Sequence, residues 1–338
     1  MASVTPRCSP GQLASLLEAL AVRVESARVE DCSLSLPDYP GGPRPSSVVR
    51  LSGKGCSGLG ENVAFVAHEH ARFAGFVARW FAATEGRAGL SVRTALAAEG
   101  SPYERAALEA ALIDLALRQA GLSLYDLGGV REASLCFVKS LAADPKPDAV
   151  IGRLRERGFH GRLKVDVEPS WDARALEALA RDSSIAIFDF KGRGDSSLAR
   201  RLSVACPPAC LEDPPSDFEA SFVEPRRVSR DSSLLDEGAV AAALARGEAV
   251  NLKSPRMGGP LSVLRGLEHA WAENPPVSRL LAYFGGMFEI HVGRTQARQL
   301  AALYCASAPN DLALNVADAE RALADSPAQV RLDTPGFG

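Results

Sequence analysis

In the second half of the chain, short apolar runs recur and each ends in charge: RLKVDV, IAIFDFKG, ACLEDPP, RRVSRDSS and AVNLKSPRMGG. From Asp166 to Asp189, Glu212, Asp231 and Lys253 the steps are 23, 23, 19 and 22 residues. A step of that size accommodates one strand, one helix and two short loops. The segments between the runs supply most of the helices: PKPDAVIGRLRERG, DARALEALARD, SLARRLSVA, DEGAVAAALARGE, PLSVLRGLEHAWAE and GRTQARQLAALYCA. With SLCFVKSL before the series, and LLAYFGG and DLALNV after it, eight strands alternate with helices. That alternation predicts a (β/α) barrel over residues 131–316 rather than an open sheet. The charges then fall at the C-terminal ends of the strands, where such barrels place their chemistry.

The first 130 residues have no such rhythm. Ser9 and Pro10 open a short helix, as N-cap and first-turn proline. VRVESARVEDCSLSL alternates like a half-buried strand, and PDYPGGPRPSS reads as a loop. VVRLSG reads as a second strand, with KGCSGLGEN as a glycine-rich turn out of it. A helix with apolar positions at Phe65, Phe73, Val77 and Trp80 follows. Ser101–Pro102–Tyr103–Glu104 carries a capping box for a second long helix, which stops at Gly121. Strands followed by helices, without a parallel repeat, predict a small α+β domain over residues 1–130. Residues 317–338 read as a polar, proline-containing tail.

Gly53, Gly55 and Gly58 fit the dinucleotide-binding fingerprint G-x-G-x-x-G between a strand and a helix. In that motif the helix begins inside the glycine stretch and a second parallel strand follows. Here Glu61 and Asn62 intervene and LSVRTAL is a poor strand, so a hairpin or a flap over a neighbouring site is the preferred reading.

Composition narrows the class. At 46% hydrophobic and 23% charged residues the chain has the profile of a soluble globular protein. A net charge of -3 gives no footing for nucleic acid or an anionic membrane. No run is long enough to span a bilayer, and Glu18 interrupts the one apolar stretch near the start. The 7 scattered cysteines argue against a disulfide framework and fit a reducing, cytoplasmic setting. Cys206 and Cys210 have no further ligand nearby to complete a zinc set. His68, His70, His160, His269 and His291 lack partners at ligand spacing. Nothing in the sequence sets the oligomeric state, and a homo-oligomer stays open.

Alternation along the strands decides which charges meet. Lys164 and Asp166 share one face, and Leu163, Val165 and Val167 the other. Asp189 pairs with Lys191 in the same way, and Asn251 with Lys253. With the apolar sets against the helices, Lys164, Asp166, Asp189, Lys191, Glu212, Asp231 and Lys253 converge in the barrel mouth. Neighbouring strands lie about 5 Å apart, so Asp189, Glu212 and Asp231 can reach one cation. An all-oxygen set of that kind suits Mg2+, with Mn2+ as the other candidate. The same groups also suffice for an internal salt-bridge network. Their recurrence in register at strand ends favours a functional site.

The order of these features resembles the enolase superfamily, closest to its muconate-lactonizing and o-succinylbenzoate-synthase-like branch. The resemblance covers most of the chain. It rests on GLGE at Gly58 to Glu61, the helix end from Ala107 to Gly129, Lys164, Asp189, LEDPP around Glu212, Asp231, NLKSPRMGG around Lys253 and FGGMFEIHVGRTQ from Phe284. It implies a modified (β/α)7β TIM-like barrel with an N-terminal α+β capping domain, to which the chain end returns. It implies Mg2+ at Asp189, Glu212 and Asp231, with Lys253 as a general acid/base. Such enzymes abstract a proton α to a carboxylate, and the metal stabilises the resulting enediolate. A lysine beside the cation has its pKa pushed down toward neutrality.

Three departures qualify the expectation. The family's second strand usually carries Lys-x-Lys, and here it is Lys164-Val165-Asp166. Its third usually carries Asp-x-Asn, here Asp189-Phe190-Lys191, and its fifth Asp-Glu, here Asp231-Ser232. Two bases on opposite faces are then not guaranteed. A one-base dehydration or o-succinylbenzoate-synthase-like elimination, with Lys253 or Asp166 acting and Lys164 in the catalytic set, is favoured over racemisation. A small carboxylate substrate is expected at Lys191, Arg256 and the backbone N–H groups of Gly285, Gly286 and Met287. The alternative is a non-catalytic enolase-like protein whose salt-bridged mouth binds a ligand or partner.

Overall fold

The computed structural model describes residues 6–35, 42–87, 89–96, 99–273, 282–312 and 328–338. Its first part is a three-stranded antiparallel sheet, β1 (Ser26–Leu34), β2 (Arg44–Gly53) and β3 (Cys56–Asn62), in that order. Helices α1 (Pro10–Ala19), α2 (Ala67–Thr84), α3 (Val92–Ala95), α4 (Pro102–Ala120) and α5 (Leu124–Gly128) accompany it. The caps at Ser9 and Ser101 form as the sequence predicts, and Gly121 ends α4 in the left-handed conformation. Phe65 lies before α2 and is exposed, so it takes no part in that helix's buried face.

Two segments differ from expectation. Arg44 to Ser47 belong to β2 rather than to a loop. Before Ser47 that strand is paired only with β1, a position where Pro45 is tolerated. KGCSGLGEN is mostly a strand: the turn is only Lys54–Gly55, both with positive φ (49° and 73°), as a two-residue hairpin of type I′ demands. The glycine fingerprint is therefore a hairpin and not a strand leading into a helix.

The glycines of β3 serve close packing instead. A Cβ at Gly60 would stand 1.9 Å from the Ala107 carbonyl oxygen, and one at Gly58 would stand 2.3 Å from that of Ala111. Strand β3 thus lies directly on the backbone of α4, whose Leu108, Leu112, Ile113 and Leu115 are fully buried. Gly60→Ala is expected to cost about 3 kcal/mol, because the obstructing atoms are backbone. Urea unfolding of the variant would measure it, and a midpoint equal to that of the parent would refute this account.

The second part is the barrel. Strands β4 (Glu132–Leu135) and β5 (Val138–Leu141) divide the predicted SLCFVKSL strand between them. Then come α6 (Pro147–Glu156), β6 (Arg162–Asp166), α7 (Ala173–Ala180), β7 (Ile185–Asp189), α8 (Ser196–Ala205), β8 (Cys210–Glu212) and β9 (Val228–Arg230). They are followed by α9 (Glu237–Ala245), β10 (Ala249–Leu252), α10 (Ser254–Met257), α11 (Pro260–Glu273), β11 (Ala282–Phe284), α12 (Val292–Tyr304) and β12 (Ala328–Arg331).

Strands β5 to β11 form one parallel sheet in sequence order. Its two edges meet through residues 310 and 311, since Asn310 bridges to Phe137 and Asp311 to Gly285. Residues 313–316 of DLALNV lie outside the described residues. Leu163, Val165 and Val167 pack outward with Phe188 and Phe190, as the alternation predicts. From Ala328 the chain pairs antiparallel with β4, and the Phe337 N–H then donates to Asp114 of α4.

Two side chains of the N-terminal sheet fasten it to the barrel. Glu61 accepts the N–H groups of Ile290 (2.8 Å), His291 (3.0 Å) and Gly293 (2.9 Å), and so caps the start of α12. Arg44 is fully buried and donates to the carbonyl oxygens of Val63, Ala64, Met287 and Phe288. Among the described residues, no helix is long and apolar enough to cross a membrane.

Candidate active site

Strand register brings the predicted charges together. Asp166 stands opposite Asp189, and Asp189 opposite Glu212. Glu212 pairs with Ser229, which sets Asp231 just past the end of β9, and Lys253 follows directly on β10. Glu212 is at the centre and has no exposed surface. Its Oε1 accepts from Lys164 Nζ (2.6 Å) and Asn251 Nδ2 (3.1 Å), and its Oε2 from the Tyr283 hydroxyl (2.5 Å).

Lys164 Nζ is also 3.1 Å from Asp189 Oδ2 and 3.0 Å from Asp311 Oδ2. Lys191 Nζ lies 2.6 Å from Asp166 Oδ1 and 3.1 Å from Asp189 Oδ2. On the other side of the mouth, Asp231 holds Lys253 Nζ at 2.7 Å and Arg256 Nη1 at 2.6 Å, one on each carboxylate oxygen.

The electrostatics follow from burial set against these pairs. Burial works against the charge on Lys164, but Asp311, Glu212 and Asp189 outweigh it and hold its pKa well above the usual lysine value. Burial would also raise Asp189, Asp231 and Asp311, yet the adjacent lysines hold all three below the ordinary carboxylate range. Glu212 goes the other way, pushed up to about 7 by burial against the pull of Lys164. Burial likewise raises Asp166 against the pull of Lys191. Burial and the Glu212 carboxylate keep Tyr283 protonated, so it can only donate there.

Above this cluster is a cavity of about 410 Å³, a size suited to a small molecule. Lys164, Asp166, Asp189, Lys191, Asp231, Lys253 and Arg256 all line it, while Glu212 lies beneath its floor. Phe65 of the N-terminal part and Phe288 of the barrel form an aromatic lip, with ring centroids 6.5 Å apart.

The assignment of backbone donors at Gly285, Gly286 and Met287 to a substrate carboxylate needs correction. The Gly285 N–H donates to the Leu252 carbonyl, that of Gly286 to the Asp311 carbonyl, and that of Met287 to the Glu289 carboxylate. Those donors are already spent inside the protein. Gly285 instead leaves room beneath it, since a Cβ there would stand 2.2 Å from Asn251 Oδ1 and 2.6 Å from Lys253 Cε. Gly286 and Met287 remain as cavity wall.

Sequence reasoning also missed members of the cluster. Asp311 opens a short segment instead of closing an apolar run, so the strand-end rhythm passes over it. Tyr283 is buried within LLAYFGG, and its only signal is the even spacing to Gly285. Asn251 was legible as sharing a face with Lys253, but its bond to Glu212 was not.

The donor set can be tested against a divalent cation. Asp189, Glu212 and Asp231 offer hard oxygen ligands from three adjacent strand ends, the chemistry Mg2+ prefers. Five carboxylates here meet four cationic side chains, and Asp213 at the edge adds another negative charge. Asn251 Oδ1 is a further buried oxygen, with no partner. Among the described residues no three His, Cys, Asp or Glu side chains surround one shared open point. A cationic nitrogen, Lys164 Nζ, stands between Asp189 and Glu212 instead. The set has the oxygen chemistry a divalent ion prefers, with the Lys164 ammonium standing among those oxygens.

Comparison with known proteins adds the following. Residues 131–318 match the family described as Domain of unknown function (DUF8230) C-terminal domain, and residues 15–127 match the corresponding N-terminal domain. No curated protein matches the sequence. Among solved structures, a mandelate racemase/muconate lactonizing protein from Herpetosiphon aurantiacus is 20% identical with a TM-score of 0.72, over 94% of this chain and 98% of that one. A member of the enolase superfamily from Listeria innocua Clip11262 is 18% identical with a TM-score of 0.70, over 94% of each chain. A mandelate racemase/muconate lactonizing enzyme candidate from Roseovarius nubinhibens ISM, complexed with magnesium, is 20% identical with a TM-score of 0.70, over 92% of this chain and 94% of that one. At such identities the likeness is one of fold, and the fold is that of the enolase superfamily.

Proposed function

Since the chain belongs to the DUF8230 family, built on the enolase-superfamily fold, we propose that it is a lyase or isomerase that removes a proton α to the carboxylate of a small acid. The observation that carries this reading is the Lys253 ammonium, 2.7 Å from Asp231 on the wall of a small-molecule cavity, across the mouth from Lys164 and Lys191. Asp189, Glu212 and Asp231 are the residues that would hold Mg2+. When bound there, the ion supplies positive charge where negative charge develops on the substrate carboxylate.

The chain's own groups have the following parts. Lys253, acting as the free amine, takes the α-proton at Nζ to become the ammonium and then gives that proton to the leaving group. Asp231 orients that nitrogen, and Arg256 holds Asp231 from its other side. Lys191, paired with Asp166 and half exposed at the cavity wall, is the cation best placed to meet the substrate's carboxylate. The aromatic lip of Phe65 and Phe288 screens the site from water. Elimination is preferred to two-base racemisation, because Asp166, where the family has its second lysine, is engaged by Lys191.

The test is α-proton exchange. The protein with Mg2+ is incubated in deuterated water with a broad panel of carboxylic acids, and deuterium uptake is read by mass spectrometry. Uptake into at least one acid is expected, and none across the panel would end this reading. A second reading, a non-catalytic protein whose ion-paired mouth binds a ligand, draws on the Lys164 bridge and predicts ligand binding with no exchange.

A further inference from the structure

Lys164 bears on the proposed cation site in a way its role as a strand-end charge does not explain. Three carboxylates, from β7, from β8 and from the segment after α12, are arranged around its one nitrogen. The distances are 3.1 Å to Asp189, 2.6 Å to Glu212 and 3.0 Å to Asp311, within the range of charge-assisted hydrogen bonds. The side chain is only 3% exposed, so water does not screen these contacts. An ammonium and a divalent ion compete for the same oxygen lone pairs. A metal that draws on Asp189 Oδ2 and Glu212 Oε1 competes with Lys164 for them.

Asp311 gives the displaced ammonium a place to stay. It is outside the three-carboxylate set assigned to the metal, and its Oδ1 is fixed by the Ser140 hydroxyl at 2.5 Å. Its Oδ2 already faces Lys164 Nζ. The buried amine need not become an unpaired charge when it leaves Glu212, a state that would be prohibitively costly.

We infer that Lys164 is a tethered cation standing in the metal position of the metal-free protein, and that a divalent ion binds by exchange, with Lys164 passing from Glu212 to Asp311. The inference rests on the reading that Asp189, Glu212 and Asp231 take Mg2+, and it adds what controls that step. The metal-free mouth is held together by its own ion pairs. Affinity for the ion is set by how firmly Lys164 is held. If Lys164 only ordered the carboxylates, its removal would weaken metal binding instead.

Calorimetric titration of MgCl2 into the metal-free protein and into Lys164→Met separates the two. The variant is expected to bind Mg2+ with a Kd roughly ten- to hundred-fold lower, the change equivalent to one charged hydrogen bond no longer competing. Its melting temperature should fall below the parent's in chelator and rise more steeply with Mg2+. Lys164→Gln keeps a hydrogen-bond donor without the charge, guards against loss of fold in the methionine variant, and should show the same gain. Equal or weaker Mg2+ binding by folded variants, with the parent binding, would overturn the inference and leave the proposed function standing. Absence of Mg2+ binding by all three proteins at millimolar concentration would overturn both the inference and the metal assignment.

Discussion

Lys253→Ala is expected to lower the rate of α-proton exchange roughly a thousand-fold, the typical weight of a positioned acid or base. The fold should tolerate the change. Asp231 keeps its bonds to Arg256, so the carboxylate is not left as an unpaired buried charge. Lys253→Arg sharpens the test. It restores a positive charge beside Asp231, but a guanidinium does not give up its proton near neutrality, so exchange should stay lost. An alanine variant within ten-fold of the parent, measured on the same acid, would move the proton-carrying role elsewhere in the mouth. Asp166 and Lys191 would be the first places to look.

The largest effect on stability is expected at Arg44, whose bonds tie the N-terminal sheet to the barrel. Arg44→Met should cost on the order of 4 kcal/mol, because it strands the carbonyl oxygens of Val63, Ala64, Met287 and Phe288 in a buried setting. The guanidinium also lies 4.7 Å from the Phe65 ring centroid, so its loss should loosen the aromatic lip. Two readouts follow: a lower urea midpoint, and a raised KM on any acid that the exchange panel identifies. A stability loss below about 1 kcal/mol would mean that the carbonyls find other donors.

What the sequence made legible and what it concealed divide along a physical line. The ladder Asp166, Asp189, Glu212, Asp231 and Lys253 was readable because each residue closes an apolar run, and parallel strands in one register deliver such residues to one place. Groups that reach the cluster by another route were not. Asp311 joins it from a segment that meets both sheet edges, and Tyr283 reaches Glu212 across the barrel. Which nitrogen meets which oxygen was equally out of reach, since Lys164 and Lys191 have several carboxylates within range and only packing chooses among them.

The N-terminal part shows the same division. Capping residues at Ser9 and Ser101 act locally and were read correctly. Strand β3 was taken for a turn because Gly58 and Gly60 answer to α4, a helix whose approach no local pattern announces. Arg44 was assigned to a loop for a similar reason, since the proline and serines around it outweigh a single arginine in any local reading.

The contact between the Phe337 N–H and Asp114 has a consequence for how the protein is made. The two residues are 223 positions apart, and between them lies the whole barrel. At ordinary rates of synthesis, α4 emerges well before the segment that covers it. Until that segment arrives, Asp114 keeps Arg118 and the Leu59 N–H but lacks its remaining partner. The nascent N-terminal part must therefore wait with one flank open until Phe337, made after the whole barrel, reaches Asp114.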